Sequence, residues 1–186
     1  MIHQDEINEV FKNIMDRESR ESRDDLLRNL KYSGYRILDK IEQDARILDI
    51  GCGRNLFKSF RPNLLGIDPV HDAADIKIAF QDFNTTEKFD VILCLGSLHF
   101  GELEDIMFLT KKLTEMIKPG GNVFWRCSKR SEVWFQYAWT KELHYNLANE
   151  FGYSIVEIED DYVLGNLNIW SPNQSSRLYA QWNKNL

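Results

Sequence analysis

The residues of this chain that are suited to chemistry stand at the ends of apolar runs. Asp49 lies inside one such run and is followed closely by the turn Gly51-Cys52-Gly53. Asp68 ends the next run, 17 residues after Gly51. Glycine adopts positive φ and lets another group approach the backbone closely, and an acid about 20 residues after such a turn grips ribose hydroxyls in doubly wound sheets. The spacing therefore predicts a site for a nucleoside-bearing cofactor.

The residues after the turn narrow the choice of cofactor. The third glycine of a dinucleotide fingerprint is missing, because position 56 is Leu56. A lysine is also missing where a triphosphate-binding loop requires one. Both absences argue against a pyrophosphate or triphosphate packed on the turn.

His99 is the histidine best placed for catalysis. It follows the most strand-like run, 89–95, and is expected at the carboxyl edge of a sheet. Its ordinary pKa suits a general base that takes a proton from an oxygen or nitrogen nucleophile. The alternative, in which His99 shapes the pocket or bonds a nearby carbonyl, stays open. The other histidines, at positions 3, 71 and 144, lack metal-ligand spacing, so no metal site is predicted.

A basic cluster follows the run 122–127. Arg126, Lys129 and Arg130 are expected on the side where a second ligand enters, and we expect Arg126 and Arg130 to recognise a carboxylate or phosphate. A solvated rim on an acidic protein is the alternative. Core packing explains the nearby aromatic residues better than an aromatic ligand pocket does; they are Trp125, Trp134, Phe135, Tyr137 and Trp139.

Alternating strand and helix patterns predict the elements that position these residues. Apolar runs typical of buried strands cover 46–50, 64–67, 89–95 and 122–127, with a short strand expected at 76–80. Helical patterns cover parts of 1–44, then 55–60, 102–117 and 131–151, with a restart at Thr140. Two closing antiparallel strands are expected at 153–163 and 177–182.

Four segments together resemble the class I S-adenosylmethionine-dependent methyltransferases. They are ILDIGCG (47–53), GID (66–68), FDVILCLGSLHF (89–100) and IKPGG (117–121). The resemblance covers about residues 30–186. It implies a three-layer, Rossmann-like α/β fold with a mostly parallel seven-stranded sheet and an antiparallel closing strand. Asn55 stands where the family often has a third glycine, and asparagine tolerates the left-handed φ that this turn requires.

The resemblance also implies which residues bind S-adenosyl-L-methionine. The turn holds the methionine moiety, the acid after the second strand accepts both ribose hydroxyls, and the residues after the fourth strand flank the sulfonium. Either Asp75 or Asp82 faces the adenine; we favour Asp82, with Phe83 beside the ring. The predicted cofactor-binding residues are Asp49, Gly51, Cys52, Gly53, Asp68, Pro69, Asp82, Phe83, Leu95 and Gly96.

Length and composition set the remaining expectations. The 186 residues are most simply one domain, with 1–44 a helical N-terminal cover. The net charge of −6 argues against a nucleic-acid partner, and no apolar run approaches the length of a membrane helix. Three cysteines without CxxC spacing and a start without a signal-peptide pattern predict a reduced, cytoplasmic protein.

The sequence favours methyl transfer to the O or N of a small molecule. Two other functions stay open. One is a protein that keeps this fold and binds the cofactor without activity, since the region between the second and third strands is short. The other is an NAD-binding oxidoreductase, which Leu56 and the KPGG segment argue against. The oligomeric state is not indicated by any pattern.

Overall fold

The computed structural model describes residues 35–129, 136–160 and 177–186, with side chains from residue 37 onward. Its helices and strands follow in the order α1 (Tyr35–Leu38), β1 (Ile47–Ile50), a 3₁₀ helix (Leu56–Ser59), β2 (Leu64–Ile67), β3 (Phe89–Leu95), α2 (Leu103–Thr114), β4 (Ile117–Ser128), α3 (Lys141–Glu150), β5 (Tyr153–Asp160) and β6 (Arg177–Lys184). No described helix is long and apolar enough to cross a membrane.

One sheet carries all the described strands, in the order β2-β1-β3-β4-β6-β5. The first four are parallel, and β6 runs antiparallel to both β4 and β5. The mostly parallel, Rossmann-like α/β fold is thereby confirmed. Strand order reverses at β1, which lies between β2 and β3, and ligands of such sheets bind outside the carboxyl ends of the strands at this point.

The described part of the sheet has six strands, whereas seven were predicted. The strand expected at 76–80 is reduced to a single bridge between Ile67 and Ile76. Around this bridge the Ile76 N–H donates to the Gly66 carbonyl, the Asp68 N–H to the Ile76 carbonyl and the Ile78 N–H to the Asp68 carbonyl. The chain turns directly afterwards, where the Phe83 N–H donates to the Ala79 carbonyl, so the pairing ends before a regular strand ladder forms.

Helices cover both faces of the sheet, and strand residues alternate between two cores. The face under α2 and α3 buries one set of apolar side chains: Leu48, Ile50, Ile67, Ile92, Cys94, Val123, Trp125, Cys127 and Trp182. The face under α1 buries another: Ile37, Ile41, Ile47, Leu64, Val91, Leu93, Phe124 and Tyr179. Side chains at the carboxyl edge therefore belong to one face or the other according to their parity along each strand.

Helix α3 begins later than the periodicity predicts. Residues 136–140 are not helical, because the Trp139 N–H donates to the Ser128 carbonyl. The helix starts at the predicted restart, where Thr140 Oγ1 accepts from the Leu143 N–H at 3.0 Å. Trp125 and Trp139 are buried in the core, with ring centroids 5.0 Å apart, as favoured from the sequence. Residues 130–135, and with them Arg130, lie outside the described residues.

Candidate functional site

The Gly-x-Gly turn leaves β1 at the point where strand order reverses. Gly51 has φ +70°, and a Cβ placed on it would lie 2.6 Å from the Cβ of Ser97, in the loop after β3. Gly53 has φ +53°, but no atom of the described part of the chain, apart from its own neighbours in sequence, lies within 4 Å of the position that its Cβ would take. The turn is thus tightly packed on one side and open on the other, and a ligand has room to approach the backbone at Gly53.

Asp68 ties the segment after β2 to this turn. Its Oδ2 accepts from the Gly53 N–H at 3.1 Å, and its Oδ1 accepts from the N–H groups of Val70 and His71, both at 2.9 Å. A carboxylate offers about four lone-pair positions, so one position on Oδ2 remains. Asp68 can accept one further hydroxyl as it stands, whereas the predicted pair of ribose hydroxyls would require that a backbone donor be released.

Asp49 is a buried carboxylate to which no residue of the described ranges donates a hydrogen bond. It is 3% exposed and pairs in register with Gly66 of β2 and Leu93 of β3. None of the hydrogen bonds in the described ranges reaches its side chain. Burial, and then the negative charge of Asp68, raise the pKa of Asp49 to about 7. A cationic group beside Asp49 would relieve both effects, so the site suits a ligand that carries an ammonium.

Hydrogen-bonded side chains of Asn55 and Asp75 lie where the third glycine of the turn is missing. Asn55 takes the predicted left-handed conformation, with φ +54°. Asp75 accepts from the Gly66 N–H at 2.8 Å, from Asn55 Nδ2 at 3.3 Å and from the Lys58 ammonium. Partial burial raises the pKa of Asp75, but the hydrogen bonds from Lys58 and Gly66 outweigh it and hold the pKa below its usual value. The Asp75 carboxylate therefore binds groups of the protein itself.

Asp82 and Phe83 differ in their surroundings. Asp82 is exposed, while Phe83 is 5% exposed and belongs to the core under α2 and α3. Of the two acids left open by the sequence, Asp75 is held by Asn55 and Lys58, whereas Asp82 is exposed. The adenine contacts of Asp82 and Phe83 stay predictions.

His99 lies at the carboxyl edge, as predicted, but it is deeply buried. It is 3% exposed, and its Nδ1 finds no hydrogen-bond partner within the described residues. Burial, and then the positive charge of Arg177, lower the pKa of His99 to about 3. The imidazole is therefore neutral at physiological pH and a weak base.

The basic cluster is smaller than the sequence suggests. Lys129 Nζ donates to Asp160 Oδ1 at 2.9 Å, so its charge is matched by a carboxylate. Arg126 is half-buried and lies opposite Leu95 on one side and Tyr179 on the other. The anion-binding role of Arg126 and Arg130 stays a prediction.

A family model supplies the identification. The model described as a methyltransferase domain matches residues 17–157. The chain belongs to this methyltransferase family. The predicted family is thereby confirmed, in preference to the alternative of an NAD-binding oxidoreductase.

Solved structures of methyltransferases share this fold. The structure of Burkholderia thailandensis 1,6-didemethyltoxoflavin-N1-methyltransferase, with bound 1,6-didemethyltoxoflavin and S-adenosylhomocysteine, is 13% identical with a TM-score of 0.73, and the match covers 97% of this chain and 88% of that one. The N-methyltransferase NodS from Bradyrhizobium japonicum, in complex with S-adenosylhomocysteine, is 18% identical with a TM-score of 0.63, covering 92% and 97%. An S-adenosylmethionine-dependent methyltransferase from Clostridium acetobutylicum is 15% identical with a TM-score of 0.64, covering 96% and 99%. No curated protein sequence matches the chain.

One charged residue of this methyltransferase was missed in the sequence. Arg177 was predicted only as the first residue of a closing strand, yet its Nη1 lies 3.6 Å from the position that a Cβ on Gly96 would take. No sequence signal could have shown this, because Arg177 and Gly96 meet only after β6 pairs with β4.

Cys52 is the remaining polar residue of the turn. Burial, and then the carboxylates of Asp49, Asp68 and Asp75, raise its pKa, so the thiol stays protonated. Its Sγ lies 3.8 Å from the Gly53 carbonyl. Cys52 therefore contributes a neutral, polarisable surface at the turn rather than a nucleophile.

Proposed function

We propose that this methyltransferase binds S-adenosyl-L-methionine above the carboxyl end of β1 and passes the methyl group to an O or N atom of a small molecule. The observation that carries the proposal is Asp49, a buried carboxylate that receives no hydrogen bond from the described residues and lies before an open turn at Gly53. Burying a charge without a partner is costly, and a protein retains such a group where a ligand supplies the partner.

The chain's own residues fit the parts of this cofactor. Asp49 accepts from the ammonium of the methionine moiety, and the backbone at Gly51 and Gly53 leaves space for that moiety. Asp68 accepts a ribose hydroxyl through the remaining position on Oδ2, beside Pro69. When bound, the cofactor supplies a methyl group on a positively charged sulfur, so the protein has to contribute binding and orientation.

The remaining contacts follow from the loop after β3 and the turn after Phe80. Asp82 faces the adenine amino group, and Phe83 supports the ring from the core side. Leu95 and Gly96 flank the sulfonium end, where Gly96 has φ +96°. Cys52 fills the space under the turn.

The acceptor enters on the face of the sheet that α1 covers. We propose that residues 1–44 form a cover over this face, which was predicted to be helical and of which 39–44 are not helical, and that Arg126 and Arg130 hold an anionic group of the acceptor. The 1,6-didemethyltoxoflavin bound to the Burkholderia enzyme supports a small-molecule acceptor. Arg126→Ala and Arg130→Ala should then raise the KM for the acceptor and leave cofactor affinity unchanged.

His99 is the proposed residue for proton acceptance from the acceptor. Its low pKa means that it takes a proton only if the acceptor group is itself acidic or if Arg177 moves away. His99 therefore serves first as a neutral wall and hydrogen-bond acceptor beside Gly96.

Calorimetry with three ligands tests the proposal. The full chain should bind S-adenosylmethionine and S-adenosylhomocysteine but not NAD. Asp49→Asn should weaken the binding of S-adenosylmethionine and of S-adenosylhomocysteine. Asp90→Asn is the matched control. Asp90 is also a strand aspartate, but at the opposite edge of the sheet its carboxylate accepts from the Arg46 N–H and from Lys118. Equal affinity of the wild type and Asp49→Asn for S-adenosylhomocysteine would contradict the proposed site.

A labelling experiment separates an enzyme from an inactive binding protein. The protein is incubated with methyl-labelled S-adenosylmethionine and a small-molecule extract of cells. Transfer of the label to a new compound, lost in Asp49→Asn and kept in Asp90→Asn, supports an enzyme. Tight cofactor binding without any labelled product would instead support the inactive alternative.

A further inference from the structure

Arg177 begins β6 at the carboxyl edge of the sheet. In register it lies opposite Ser128, the last residue of β4. Its Nη1 and the Cε1 of His99 lie 3.6 Å and 3.9 Å from one point, the position that a Cβ on Gly96 would take. A guanidinium and a neutral imidazole therefore converge above Gly96.

Strand register places Arg177 and Arg126 on the same face. Opposed residues of paired strands share a face, so Arg126 shares it with Leu95 and Tyr179, and Arg177 follows two residues along β6. Tyr179 belongs to the core under α1. Asp49 has the same parity as Ile47, which also belongs to that core, so the acid of the turn and both arginines project to one side of the sheet.

The positive charge at this edge is carried by guanidinium groups. Lys129 is paired with Asp160, and burial, followed by the charge of Arg177, keeps His99 uncharged by lowering its pKa to about 3. Arg177 makes contacts of its own, but a guanidinium keeps its charge whatever it contacts. Its planar fork matches a carboxylate in two parallel hydrogen bonds, which a lysine ammonium cannot do.

We propose that Arg177 positions a carboxylate of the methyl acceptor above Gly96 and so restricts this methyltransferase to carboxylate-bearing acceptors. The inference rests on the proposed function, because Gly96 is taken there as the sulfonium end of the cofactor site. With the acceptor absent, the guanidinium disfavours a positively charged ligand beside Gly96. A bound carboxylate removes that repulsion.

Two ligands that differ by one charge test the inference without knowledge of the acceptor. S-adenosylmethionine carries a positive sulfur, and S-adenosylhomocysteine is its neutral counterpart. Calorimetry on the full chain gives the ratio of their Kd values for the wild type, Arg177→Gln and Arg177→Lys. Arg46→Gln is the control, because it removes the same charge at the opposite edge of the sheet, where Arg46 pairs with Glu87.

Arg177→Gln should lower the ratio of the Kd of S-adenosylmethionine to that of S-adenosylhomocysteine about fivefold, because a like charge is removed. Arg177→Lys and Arg46→Gln should keep the wild-type ratio. Sodium benzoate at about 50 mM, compared with sodium chloride at equal ionic strength, should tighten the binding of S-adenosylmethionine relative to S-adenosylhomocysteine in the wild type but not in Arg177→Gln.

Each result has a separate meaning. If the wild type binds neither nucleoside, the proposed function fails. If both bind but Arg177→Gln leaves their ratio unchanged, Arg177 does not face the cofactor. If benzoate has no effect on the wild type beyond that of chloride, Arg177 does not bind a carboxylate beside the cofactor. The benzoate measurement needs only the wild type, so the inference remains testable even where Arg177→Gln fails to fold.

Discussion

Asp49→Asn should make the free protein more stable while it weakens cofactor binding. The two effects have one cause, the burial of a carboxylate that no donor in the described chain satisfies. Its pKa is raised from 3.8 to about 7. Since one pKa unit corresponds to about 1.4 kcal/mol, ionised Asp49 destabilises the free folded protein by about 4 kcal/mol at most.

The sign of the pH dependence follows from this raised pKa. The folded state binds the Asp49 proton more tightly than the unfolded state does, so stability falls as the pH rises from about 4 to about 7. Asparagine removes this loss but introduces a buried amide, which costs about 1–3 kcal/mol. A net gain of about 1–3 kcal/mol at pH 8 corresponds to a rise in Tm of roughly 3–10 °C for a chain of this size. The gain should vanish near pH 4.

Cofactor affinity should change in the opposite direction. Asp49 has to be ionised to pair with the ligand ammonium, so the affinity of the wild type for S-adenosylhomocysteine should rise roughly 15-fold from pH 5.5 to pH 7. About half a proton should be released per ligand at pH 7. Asp49→Asn should show weak binding, no such pH dependence and no release from this group.

Thermal denaturation across pH and calorimetry in buffers of different ionisation enthalpy measure both effects. Asp68→Asn is the control, because its carboxylate accepts three backbone N–H groups and its loss should destabilise the free protein. A Tm of Asp49→Asn at or below that of the wild type at pH 8 would refute the reasoning about stability. A wild-type affinity that does not change with pH would refute the pairing with the ammonium.

Three further changes separate packing from ligand binding. Gly51→Ala should lower the free energy of unfolding by at least about 2 kcal/mol, because its Cβ would lie 2.6 Å from that of Ser97. Gly53→Ala should lower the free energy of unfolding by only about 1 kcal/mol, through its positive φ, yet weaken the binding of S-adenosylhomocysteine at least about tenfold. Urea denaturation and calorimetry compare Gly51→Ala with Gly53→Ala. If affinity falls in the same proportion to stability in both variants, the open side of the turn does not bind the ligand. Asp75→Ala should destabilise by about 1–3 kcal/mol in urea, since the Gly66 N–H loses its acceptor, and leave the Kd for S-adenosylhomocysteine within about threefold; a larger rise in that Kd would assign Asp75 to the cofactor. Because the pKa of His99 lies near 3, the dependence of the methyl-transfer rate on pH should have the same acidic midpoint in His99→Asn as in the wild type. A wild-type midpoint near pH 6.5 that disappears in His99→Asn would show instead that His99 titrates there.

Sequence patterns were sufficient to predict the strands and turns that depend on residues adjacent in the chain. A run such as 89–95, which is apolar throughout except at Asp90, is typical of a central parallel strand, because both faces of such a strand are covered. The left-handed conformation of Asn55 was expected because few other residues tolerate it. The turn at 51–53 was predicted for the same reason, and the family from four segments that each have a local pattern.

Contacts between distant segments decided the rest. The strand expected at 76–80 is cut short, because its pairing with residues 66–68 stops at Ile78 and the chain then turns where the Phe83 N–H donates to the Ala79 carbonyl. The ionisation of Asp49 depends on Asp68 and on burial from both neighbouring strands, and no pattern within one strand contains it. Arg177 reaches Gly96 only through the pairing of β6 with β4, since electrostatic and steric effects depend on distance in space rather than along the chain.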